Sequence, residues 1–107
     1  MTNPEWKHLD EVRARVLARL PADVAVDKVL YVPITVTEIE VYIFYPTDQD
    51  VKENERSGTS QAVRSLFEQE LDKVLRGPKS GTELRFVFDS SENVRKNYDG
   101  VYYNRLR

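Results

Sequence analysis

The side chains best suited to chemistry in this chain are carboxylates gathered in one stretch. Asp48, Asp50, Glu53 and Glu55 fall within residues 46–58, set against Lys52 and Arg56. Acids this close could hold a hard cation through oxygen ligands. A calcium loop of the helix-loop-helix type, however, needs alternating acids around a central glycine and a closing glutamate. The one glycine here is Gly58, so that spacing fails and no metal site is expected. His8 is the single histidine and there is no cysteine, which excludes multi-histidine metal centres, thiol nucleophiles, disulfides and cysteine-bound zinc. Beside Leu9 near a helix start, His8 reads as a solvated group, because a general base needs a nucleophile or substrate within reach. Asp89 and Glu92 follow a strand, where acids can be catalytic. They also sit in Asp89-Ser90-Ser91-Glu92-Asn93, a composition that turns require without any chemistry. No glycine-rich phosphate loop, dinucleotide fingerprint or nucleophile elbow is present. The expectation is a protein that is not an enzyme and carries no cofactor.

The elements that would position these groups follow from periodicity. Asn3-Pro4 suits a helix start. Leu9, Val12, Val16 and Leu20 recur at helical spacing, with Leu17 widening the stripe, and Pro21 stops the run. A helix over 4–20 is predicted, with Glu11 and Arg15 paired one turn apart. Residues 27–32 and 35–45 read as strands. In the second, Ile39, Val41, Ile43 and Tyr45 point one way, and Glu38, Glu40, Tyr42 and Phe44 the other. Its later half is bulky on both sides, so both of its faces need cover. Residues 46–58 read as an acidic loop. Val63, Leu66, Phe67, Glu70, Leu71 and Val74 then form a helical stripe over 59–76, ended by Gly77-Pro78. Residues 82–88 return to a period of two, with Leu84, Phe86 and Phe88 on one side and Arg85 and Val87 on the other. A turn at 89–93 and a short strand near 101–104 complete the reading, with 104–107 as a basic tail.

Two amphipathic helices and a half-apolar sheet predict an α+β fold: two helices on a mainly antiparallel sheet, in the order α-β-β-α-β with a further strand optional. The predicted core is Leu9, Val12, Val16, Leu20, Val41, Ile43, Val63, Leu66, Phe67, Leu71, Val74, Leu84, Phe86 and Phe88. The 107 residues fit a single domain, and the composition, 40% hydrophobic with 10% aromatic, is that of a chain that folds. A net charge of -2 gives no general attraction to nucleic acid or acidic membrane. With no leader pattern and no long apolar run, a cytoplasmic location is the default expectation.

The run Leu84–Asp99 resembles the YezG-like family of bacterial antitoxin or immunity proteins: a strand, an Asp89-Ser90 turn and a second strand ending in Tyr98-Asp99. The aromatic stretch Tyr42-Ile43-Phe44-Tyr45 and the leading helix are similar in order. The chain departs from the family pattern in having Glu92-Asn93 where a glycine follows the turn, and Thr82-Glu83 where a tryptophan precedes the strand. The resemblance implies a partner toxin of nuclease type, neutralised by direct binding, with Asp89, Tyr98 and Asp99 matching the motif.

Three functional readings stand. The first is a non-catalytic protein–protein interaction module, with Asp48, Asp50, Glu53 and Glu55 meeting a basic groove and Tyr42 as apolar anchor. The second is a nucleic-acid binder using Arg95, Lys96, Arg105 and Arg107 interleaved with Tyr98, Tyr102 and Tyr103. The third is a homodimer built on the aromatic sheet face.

Overall fold

The computed structural model describes residues 4–35, 37–75 and 83–106. The expected Asn3 cap, the Gly77-Pro78 stop and Arg107 lie outside these residues, as does the His8 side chain. The elements, in order, are α1 (Pro4–Arg19), β1 (Lys28–Pro33), β2 (Glu38–Tyr45), α2 (Asp48–Arg56), α3 (Thr59–Leu75), β3 (Glu83–Ser90), α4 (Ser91–Asn97) and α5 (Tyr102–Arg105). The two long helices and the three strands lie close to where periodicity predicts them.

The architecture as a whole differs from the prediction. Among the described residues it has five helices and a three-stranded mixed sheet, rather than two helices on a mainly antiparallel sheet. The segment read as an acidic loop contains α2, which is set by its ends: Thr47 accepts from the Asp50 amide, and the Asp50 carboxylate accepts from the Thr47 amide. This reciprocal capping box starts a helix with no apolar stripe. The segment read as a turn at 89–93 is the start of α4. Its N-cap is Ser90, whose hydroxyl accepts from the Asn93 amide at 2.9 Å. Within the segment read as a short strand and basic tail, Tyr102–Arg105 form the one-turn helix α5.

Strand order is β1-β2-β3, with β1 antiparallel and β3 parallel to β2. The parallel step follows from the long connection through α2 and α3, since a parallel neighbour needs a crossover where an antiparallel one needs only a hairpin. Being central, β2 is covered on both faces. On one face Val29, Val41, Ile43 and Tyr45 pack with Leu9, Val12 and Val16 of α1 and Val63, Phe67 and Leu71 of α3. Every residue of the predicted core belongs to this cluster or packs against it. Leu17, by contrast, is 41% exposed. On the opposite face Tyr42, Phe44 and Val94 form a second core, flanked by Leu30, Val87, Tyr98, Tyr102 and Leu106. The C-terminal helices are therefore the second cover that the bulky end of β2 demands.

Glu70, the polar member of the α3 stripe, is 2% exposed. Arg19 at 3.1 Å, Lys73 at 3.4 Å and Arg15 at 3.9 Å surround its carboxylate. Burial alone would push its carboxyl up, but hydrogen bonds from Lys73 and Arg19, together with their charges, hold it below the ordinary value. No described helix is long and apolar enough to cross a membrane.

Candidate functional site

Strands β2 and β3 run parallel and end side by side at Tyr45 and Ser90. Helices α2 and α4 start immediately beyond them, so two helix N-termini, each with unpaired amides, converge at one place. The chain's own acids fill it. Glu92, in the first turn of α4, accepts from the Asp48 amide at 2.9 Å. Asp48, in the first turn of α2, accepts from the Ser90 hydroxyl. Glu92 also meets Lys96 at 2.9 Å. The bond from the Asp48 amide, followed by that from Lys96, holds the Glu92 carboxyl below its ordinary range.

Next to this bracket, Asp89 points to the second core. Both of its oxygens accept from the Asn93 amide group at 3.1 Å, and Arg105 donates to it from α5. Arg105 lies over the rings of Tyr42 at 5.7 Å and Tyr98 at 5.9 Å. Burial disfavours its charge, but the bond to Asp89 and the carboxylate's charge outweigh that and raise its pKa. Ser90 is fully buried, and both its donor and its acceptor capacity are used. The arrangement is an interlock of caps, with no free nucleophile in it.

The five residues predicted to bind a partner therefore divide. Asp48 and Asp50 serve the helix ends. Tyr42 is 8% exposed, bonds Glu40 at 3.1 Å and lies under Arg105, away from solvent. Glu53 and Glu55 are exposed on α2; among the described residues the Glu53 side chain makes one contact, an exposed one to Arg56 at 3.5 Å. Sequence reasoning missed the feature beside Glu55. An open groove of about 390 Å³ runs between α2, α3 and β3, lined by Val51, Glu55, Ser60, Gln61, Arg64 and Phe88. Val51 and Phe88 give it an apolar floor, and Glu55, Gln61 and Arg64 a polar rim, the pattern of a side-chain anchor site. Only the helical state of α2 brings Val51 and Glu55 to its wall.

Among the described residues, most of the basic and aromatic C-terminal side chains are engaged within the chain. Tyr98 and Tyr102 pack into the second core, the Tyr102 ring lying edge-on to Phe44 at 4.8 Å. Tyr103 is 72% exposed. Lys96 and Arg105 are committed to Glu92 and Asp89. Among the described residues no group of three or more acids or histidines is placed to hold a metal ion.

Comparison with known protein families, curated proteins and solved structures finds no match. In the run 84–99 the helix α4 stands where a second strand was expected, Tyr98 packs on the second core and Asp89 holds Arg105 beside it. Asp99 sits at φ +54° between α4 and α5.

Proposed function

We propose that this chain is a non-catalytic protein-binding module that presents the outer side of α2, and the groove beside it, to a basic segment of a partner protein. One observation carries the reading: α2 buries none of its residues, yet it is fixed by the Thr47–Asp50 box and by the Asp48–Ser90 and Glu92 bonds. A helix so fixed contributes little to the core. What it contributes is a surface, with Glu53 and Glu55 pointing outward and four acids against Lys52 and Arg56. Such a charge pattern speeds encounter with a basic partner and penalises acidic ones more than it raises affinity. The apolar floor of the groove supplies the anchor that charge alone lacks. The finer reading, an antitoxin or immunity protein acting on a nuclease-type toxin, draws its support from the resemblance over 84–99.

The test is affinity capture from the native host with the wild-type chain and with the double variant Glu53→Lys, Glu55→Lys. Asp48 and Asp50 are left intact so that the caps survive. The expected result is one partner, held by wild type and lost by the variant at unchanged helix content. Equal recovery by both proteins would remove α2 from the interface.

A further inference from the structure

The floor of the groove between α2, α3 and β3 is held in place by the sheet beneath it. The Phe88 ring lies 5.9 Å from that of Tyr45 and 6.4 Å from that of Phe86, nearly parallel to both. The Tyr45 hydroxyl is bonded to Ser60 Oγ at 2.8 Å, which fixes the wall on the side of α3. The charges on the rim are unequally engaged. Arg64 lies 5.4 Å over the Phe86 ring and 3.8 Å from the Glu68 carboxylate, so its charge is countered within α3. Among the described residues the Glu55 carboxylate has no ion-pair or side-chain hydrogen-bond partner, and neither has the Gln61 amide group. An aromatic and aliphatic floor thus lies beside an uncountered carboxylate. The opposite face of the sheet shows the same combination filled by the chain itself: Arg105 is held by the Asp89 carboxylate and lies over the Tyr42 ring at 5.7 Å.

We infer that the groove is the seat of an arginine side chain of the partner protein, its stem on Val51 and Phe88 and its guanidinium on Glu55. An arginine anchor presupposes that α2 and the groove form the partner surface, and it names the residue this surface selects. Other occupants fit the lining less well. An aliphatic or aromatic anchor would take Glu55 and Gln61 out of water with nothing to bond them, and a desolvated carboxylate without a partner is costly. An acidic anchor would meet Glu55 and Glu53 with like charge, while Arg64, the cation on the rim, already has Glu68. Lysine has the right charge and a long stem, but its ammonium is a compact, strongly hydrated point charge. Guanidinium is planar and more weakly hydrated. It pairs with a carboxylate through two parallel bonds and packs over an aromatic ring. Its remaining donors suit the Gln61 amide oxygen. A long basic side chain buries its stem while its head stays near water, which suits a groove that is open on one side.

The probes are blocked tripeptides with glycine on either side of arginine, lysine, norleucine or glutamate, titrated into the isotopically labelled full-length protein and followed by NMR. The arginine peptide should shift the signals of Val51, Glu55, Gln61, Arg64 and Phe88 saturably. The lysine peptide should bind more weakly, and the norleucine and glutamate peptides should give no saturable shift. Glu55→Gln keeps the size of the side chain and removes its charge, and should weaken arginine binding by roughly tenfold. Asp72→Asn removes an exposed acid of α3 that does not line the groove, and should leave the binding unchanged. No saturable shift with arginine, equal binding of lysine or norleucine, or equal loss in the two variants would overturn the inference. If a partner is still captured through Glu53 and Glu55, such a failure removes the arginine anchor alone. Arginine binding without such a partner removes the reading of α2 alone.

Discussion

Glu70 is the residue whose environment most constrains the α1–α3 pair. Its folded pKa lies below the ordinary 4.5, so its contribution to stability is present above that value and is lost as pH falls through the lowered folded value. Wild type should therefore lose stability on acidification. Glu70→Gln should be less stable at neutral pH and lose less as pH falls, with converging urea midpoints at low pH as the measurement. Parallel curves would show that Arg15, Arg19 and Lys73 gain nothing from the charge. Ser90→Ala removes both the cap of α4 and the donor to Asp48, and should cost about 1–2 kcal/mol in urea unfolding. Glu70 was visible in the sequence as the polar member of an apolar stripe, but its partners were not, since Arg15 and Arg19 come from another helix. Ser90 was visible as a turn residue. Serine next to acids signals a turn and a helix cap equally, because both uses rest on the same side-chain bond to a free amide.

The elements legible in the sequence are those with a strong period of their own. Leu9, Val12 and Val16 mark one helix, Val63, Phe67 and Leu71 another, and alternation about Val41 and Ile43 marks a strand. Pro21 and Pro46 punctuate them. Helix α2 was not legible, because it owes its existence to end caps and has only Val51 packed against the core. Few apolar contacts mean a low local opening energy. Amides of α2 should therefore exchange with deuterium well before those of α3, and equal protection would contradict its peripheral status. Residues 101–106 were misread for a related reason: Tyr102 and Leu106 are one turn apart, a period that a short segment barely displays. As part of the cover of the second core, this segment has a structural cost of removal. Truncation after Asn97 uncovers Phe44 and Tyr42 and should destabilise the chain by on the order of 3 kcal/mol, from the apolar area re-exposed. A free basic tail could be cut with no change in thermal midpoint.

At the scale of the whole molecule, the strand order was the least legible feature. Each strand's alternation states which faces it needs covered, but not which neighbour it takes. The clue available was the pair Phe44 and Tyr45, bulky on both sides, which marks a central strand; what covers the second face follows only from the fold. The same fold decides which acids remain for a partner. Asp48 and Asp50 are consumed at the convergence of two helix starts, and Glu53 and Glu55 are left facing outward beside the groove. The central claim, that a protein partner seats on α2 and that groove, is tested most directly by placing a photoreactive benzoylphenylalanine at single exposed positions. Gln61 on the groove rim and Ala14 on α1 are both exposed. On irradiation in the native host, the account predicts one discrete protein adduct from position 61 and none from position 14. Adducts from position 14 alone, or from neither position, would contradict it.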